Sequence, residues 1–116
     1  MARILLAESE PTIRRLLKEE LQDDGYEVLG VARGGEVVRL VETFNPDLIL
    51  MEVVLSDMSG LEAGRMAKGT KRGIHIVYFS HCLPPRDLSP WGGDAFVVKS
   101  PNLERLKEVV HRLAPA

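Results

Sequence analysis

The sequence predicts an α/β domain built on a doubly wound, five-stranded parallel sheet. Two observations carry that prediction. Short apolar runs alternate with segments whose apolar residues recur at helical spacing, the pattern of strand–helix–strand units. Runs such as "LILM" (Leu48 to Met51) are apolar without a break, so their strands are buried on both faces and helices must cover both sides of the sheet.

The elements follow in order. "RILLAE" (Arg3 to Glu8) reads as the first strand. Ile13, Leu16, Leu17 and Leu21 mark the first helix, with Pro11 suited to its first turn and Gly25 to its end. "YEVLGVA" (Tyr26 to Ala32) is the second strand, and Val37, Leu40, Val41 and Phe44 mark a second helix closed by "NPD" at Asn45 to Asp47. The stretch "DLILMEVVLSDMSG" (Asp47 to Gly60) holds the third strand, and "SGLEAGRMAKG" (Ser59 to Gly69) the third helix. "IHIVYFS" (Ile74 to Ser80) and "AFVVK" (Ala95 to Lys99) are the last two strands. Leu103, Leu106, Val109, Val110 and Leu113 form the closing helix. Between Cys82 and Gly93, three prolines and two glycines forbid a full-length fourth helix and leave a loop or one short turn. Trp91 is expected to plug the space that such a helix would cover.

The 116 residues fit one domain, 1–116, with no repeat, linker or low-complexity tract. A formal net charge of −2 argues against nucleic acid binding, which needs a basic face. The lone Cys82 rules out an internal disulfide and fits a reducing compartment. The apolar start is far too short for a signal or a membrane span, so a cytoplasmic protein without membrane contact is expected. His75, His81 and His111 are scattered and read as structural or solvated.

Polar residues gather at the strand ends, where open parallel sheets bind their ligands. Glu8 and Ser9 follow strand one, Glu52 interrupts the apolar run of strand three, Ser80 ends strand four and Lys99 ends strand five. Glu8 and Ser9 could be no more than a strand end and a helix cap, Ser80 a turn residue and Lys99 a solvated terminus. Glu52 is harder to dismiss, because a carboxylate in so apolar a run is costly unless it is paired. Lys99 is the expected partner, with the Ser80 hydroxyl as a second contact.

These stretches resemble the receiver domain of two-component response regulators along essentially the whole chain. "ILLAESEPTIRRLLKEEL" is similar to the family's first strand and helix, "PDLILMEVVLSDMSGLE" to its phosphorylation strand and loop, and "DAFVVKSP" to its fifth strand. The resemblance implies a flavodoxin-like sheet ordered 2-1-3-4-5, with the fourth helix shortened or lost. It implies that Glu52 stands at the phosphoacceptor position, Glu8 and Ser9 at the acidic pair, Ser80 and Phe96 at the switch positions, and Lys99 at the conserved lysine. It also implies a bacterial signalling or phosphorelay role with a protein partner, and leaves room for a homodimer.

The departures from the family pattern bear on chemistry. The phosphoacceptor aspartate is Glu52, the second acidic residue is Ser9, the proline four residues after the acceptor is Ser56, and Ser100 separates Lys99 from Pro101. Mg²⁺ wants carboxylate oxygens in octahedral array, and Ser9 removes one charge. Glutamate reaches about 1.5 Å farther than aspartate, into the space a phosphoryl group would fill. The expectation is therefore a pseudo-receiver, not an enzyme. It would act as a regulatory interaction module independent of phosphorylation, without a resident cofactor and with at most weak Mg²⁺ at Glu8 and Glu52. Two alternatives stand beside it: a working phosphoacceptor that uses Glu52 with Mg²⁺, and an unrelated flavodoxin-like binding protein. Against the last, "AESEPT" lacks the glycines of a phosphate loop, and no metal-spaced His or Cys cluster occurs.

Overall fold

A computed structural model describes all residues, 1–116. The element order is β1 (Arg3–Ala7), α1 (Pro11–Asp23), β2 (Glu27–Val31), α2 (Gly34–Phe44), β3 (Leu48–Met51), α3 (Gly60–Thr70), β4 (His75–Ser80), a 3₁₀ turn (Ser89–Trp91), β5 (Ala95–Val98) and α4 (Glu104–Leu113). All strand pairs are parallel and the sheet order is β2-β1-β3-β4-β5, as expected.

Strand alternation splits the core in two. Ile4, Leu6, Leu48, Leu50, Val77 and Phe79 face α1 and α4, where they meet Leu17, Leu21, Leu106, Val109 and Val110. Leu5, Ala7, Ile49, Met51, Ile76 and Tyr78 face α2 and α3, where they meet Val37, Val41, Ala63 and Ala67. The second face lacks a regular helix over β4 and β5. Trp91, Leu88 and Cys82 of the connecting segment pack there instead, as the prolines require.

Two boundaries differ from the sequence reading. The apolar run around Glu52 is not one strand: β3 stops at Met51, and Val53 and Leu55 fold back into the core from a loop, while Val54 is exposed. The cause is Glu52 itself, whose carboxylate takes the Val53 and Val54 amides that a continued ladder would use. The cap of α1 is Glu10, not Ser9; its carboxylate accepts from the Thr12 and Ile13 amides.

Candidate functional site

Register builds the site. Ala7 pairs with Met51, so the next residues, Glu8 and Glu52, emerge side by side, and Ser80 pairs with Val98, so Lys99 follows beside them. Each is held by one more rung beyond its strand: Glu8 N donates to Val31 O at 3.0 Å, Glu52 N to Ala7 O at 2.9 Å, and Lys99 N to Ser80 O at 2.9 Å. By pleat alternation Glu8, Glu52 and Lys99 belong with Leu6, Leu50 and Val97, on the α1/α4 face. Gly60 lets the loop close under the site: a Cβ there would lie 1.9 Å from the Glu52 carbonyl oxygen.

The side chains converge. Lys99 Nζ donates to Glu52 Oε1 at 2.5 Å and to Glu8 Oε1 at 2.6 Å. The lysine and the Glu52 side chain are each 8% exposed and Glu8 is 3% exposed. The remaining oxygens are also engaged. Glu8 Oε2 accepts from Glu10 N at 3.1 Å, and Glu52 Oε2 accepts from Val53 N at 2.5 Å and Val54 N at 3.1 Å. Phe79 lies beneath, its ring centroid 5.9 Å from Nζ.

Burial alone would push the Glu52 carboxyl up. Hydrogen bonds from Lys99, from the Ser80 hydroxyl and from the Val54 amide outweigh it and hold the group below the usual range. Burial likewise works against the Lys99 ammonium, and the hydrogen bonds and charges of Glu52 and Glu8 outweigh it, so its pKa is raised. The cluster thus sets two carboxyl groups around one ammonium, with Glu52 and Lys99 each held in the charged form.

The structure brings together Glu8, Glu52, Lys99 and Ser80. Ser9 stays outside, since its hydroxyl makes no hydrogen bond and only its carbonyl is used, by Arg14 at 3.5 Å. Phe96 sits on the opposite face, half-buried, its ring centroid 6.4 Å from that of Tyr78. His75 faces Asp94 at 3.4 Å, His111 stacks against Tyr26 and His81 is exposed.

Several supporting contacts escaped the sequence reading. Arg14 Nη1 donates to the Glu8 carbonyl at 2.8 Å. Asp57 caps α2 from a distance, accepting from Gly34 N and Gly35 N at 2.9 Å each, and those bonds hold its carboxyl below the usual range; nothing local could reveal a pairing across more than twenty residues. The Glu10 cap was legible, since a proline at the first helical position marks the residue before it.

The comparisons with known proteins meet this geometry. Residues 4–111 match the model of the response regulator receiver domain. The chain belongs to that family. It is similar to the transcriptional regulatory protein PdtaR of Mycobacterium tuberculosis, 44% identical over 94 residues that cover 80% of this chain and 45% of PdtaR. The chain therefore spans under half of that relative's length. In structure it is similar to the response regulator TrrA of Thermotoga maritima solved in complex with Mg²⁺-BeF, with a TM-score of 0.90 and 39% identity over 97% of this chain and 99% of TrrA. TrrA in complex with the histidine kinase ThkA matches with a TM-score of 0.88 and 38% identity, over 97% of this chain and 98% of that one. No helix of this receiver domain is long and apolar enough to cross a membrane.

Proposed function

We propose that this receiver domain signals without being phosphorylated, as a protein-interaction module whose own Glu52 fills the seat of the phosphoryl group. One observation carries the reading. The Glu52 carboxylate meets an ammonium and two backbone amides, the kind of donor set that would stabilise a transferred phosphoryl group. A nucleophile must be free to attack in line. Both Glu52 oxygens are instead held by donors.

The donor set also fits Mg²⁺ poorly. Glu8 and Glu52 already share the Lys99 ammonium, and their outer oxygens take backbone amides. Ser9 supplies no charge, and no group of three or more His, Cys, Asp or Glu residues stands ready for a metal. Lys99 holds the position of the cation, so the reading assigns no cofactor and no catalysis.

The partner class is a protein. TrrA, a similar receiver, was solved with a histidine kinase. Beside the cluster here lies a cleft of about 230 Å³, lined by Ile13, Leu16, Leu17, Phe79, Pro101 and Leu103, with Leu16 half exposed. On the opposite face, the altered segment after Ser80 replaces the surface a regular fourth helix would present, so partners docking there differ too. The reading places the domain in the cytoplasm, engages neither nucleic acid nor membrane through it, and allows a homodimer.

The test is incubation with Mg²⁺ and a small phosphodonor, followed by intact mass. Wild type is expected to gain no phosphoryl group. A mass increase on wild type that disappears in Glu52→Gln would overturn the reading. Glu52→Asp alone is expected to recover little, whereas Glu52→Asp with Ser9→Asp is expected to restore Mg²⁺ binding and some phosphorylation.

A further inference from the structure

A second polar cleft, of about 380 Å³, lies where α1 crosses the β2 edge of the sheet. Its lining is Pro11, Thr12, Arg14, Arg15, Lys18 and Gly30, with no acidic residue among them. Three cations therefore line one cleft of a chain whose net charge is negative.

The cleft has a fixed centre. Arg14 is tethered by Nη1 to the carbonyls of Glu8, at 2.8 Å, and Ser9, at 3.5 Å. Its stem lies over Gly30, where a Cβ would come within 3.3 Å of Arg14 Cγ. Arg14 Nε and Nη2 have no protein acceptor, and Lys18 makes no ion pair. Arg15 meets only Glu19, at 3.8 Å with both side chains more than 60% exposed, a contact worth little. The amides at the start of α1 are already served by Glu10, so the free donors here are side chains rather than the helix end.

We propose that this cleft binds the phosphate group of a small molecule, seated between Arg14, Arg15 and Lys18, with the Thr12 hydroxyl at its edge. A guanidinium with idle donors, held in place by its own backbone contacts, suits a phosphate's oxygens. Apart from the Pro11 ring the cleft has no apolar side chain to anchor a peptide, and no aliphatic or aromatic pocket, which favours a compact anion over an acidic protein segment. Arg14 also grips the carbonyl of Glu8, whose carboxylate holds Lys99. A phosphate on Arg14 thereby acts one residue away from the buried cluster, and the amides of Glu8 and Glu10 should sense it.

The experiment is an amide NMR titration of the ¹⁵N-labelled protein at constant ionic strength, without Mg²⁺. Inorganic phosphate, pyrophosphate and glycerol 2-phosphate are the probes, with NaCl and hexaglutamate as comparisons. Saturable shifts at residues 8–18 and Gly30 are expected, strongest with pyrophosphate. Binding by phosphate and pyrophosphate alone would assign a free inorganic anion, and binding by glycerol 2-phosphate as well a phosphate ester. Because Arg14 also supports the backbone, the decisive variant is Arg15→Gln with Lys18→Gln, expected to weaken binding about tenfold with an unchanged fold. Equal shifts with NaCl, tighter binding of hexaglutamate, saturable shifts located elsewhere, or an unaffected double variant would each overturn the proposal.

Discussion

Two regions of this receiver domain depart from the family pattern, and they depart in opposite ways. At the strand ends the backbone is regular and the residue types are what differ: the family resemblance of the sequence expects aspartates at the positions of Glu52 and Ser9, and register delivers Glu8, Glu52 and Lys99 to one point. After Ser80 the backbone changes and packing is kept: a 3₁₀ turn replaces a helix, and Trp91, Leu88 and Tyr78 fill the face. The first region absorbs its changes through charge pairing, the second through volume. Each should fail in its own way, by loss of a counter-charge or by loss of fit.

The charge-paired region should fail hardest. Lys99→Met keeps the stem but removes the ammonium shared by two carboxylates, and it leaves them buried beside each other. A loss of about 3 kcal/mol is expected, read from urea unfolding at neutral pH. The pH dependence sharpens the comparison. Glu52 has a lowered pKa, so its share of stability is present above its unfolded value of 4.5 and is lost as pH falls through the folded one. Lys99 has a raised pKa, so its share is present below 10.5 and is lost as pH rises through the folded value. Wild type should hold a plateau between those limits with two falling limbs. Lys99→Met should lose the Lys99 share of the alkaline limb, leaving that of groups such as Tyr78 and Lys107, and begin its acid behaviour at higher pH. An unchanged melting temperature in Lys99→Met would show that the pair carries no stability.

The volume-paired region should fail by less and be rescuable. Tyr78 is fully buried, its hydroxyl donates to the Trp91 carbonyl at 2.7 Å, and burial pushes its pKa up. Across from it, a Cβ on Gly64 would lie 2.0 Å from that hydroxyl. Gly64→Ala is expected to cost roughly 1–3 kcal/mol through overpacking, despite alanine's better helix propensity. In a Tyr78→Phe background the same change should cost less, because the nearest clashing atom is gone. A double-mutant cycle reads the coupling. Additive losses would mean that α3 shifts freely and the seam is not tightly fitted.

The sequence made the fold legible because its signals were local: uninterrupted apolar runs for the strands, helical spacing for the helices, and prolines for the missing helix. The Glu52–Lys99 pair was legible for a related reason, since a charge in an apolar run demands a partner and few were available. What stayed hidden depended on three dimensions. That β3 stops at Met51 follows from a side chain capturing the next two amides, and the apolar pattern of Val53, Val54 and Leu55 cannot report that. Glu8 as a second ligand of Lys99 follows from register, and Asp57 as the cap of α2 from a loop that crosses to another helix. The fit of Tyr78 against Gly64 shows in sequence only as a glycine that weakens a helix.

Ser80 stands where the two regions meet, and the smallest predicted effect belongs to it. It is the last residue of β4, 1% exposed, and the proline-rich segment starts two residues later, at Cys82. Its hydroxyl helps keep Glu52 ionised, but Lys99 and the Val53 and Val54 amides stay in place without it. Ser80→Ala should therefore cost only about 0.5–1.5 kcal/mol at neutral pH, the usual worth of one hydrogen bond. The more telling readout is the acid limb. Losing one donor to the charged form raises the folded pKa of Glu52 toward its unfolded value, which shrinks its share of stability and moves the onset of acid loss to higher pH. The Glu52 carboxyl resonance followed by NMR should titrate higher in Ser80→Ala than in wild type, with the alkaline limb unmoved because Lys99 keeps both carboxylates. An unshifted Glu52 would take the hydroxyl out of the cluster. A loss larger than that of Lys99→Met would mean that Ser80 supports the altered segment, and that the two regions are one mechanical unit rather than two.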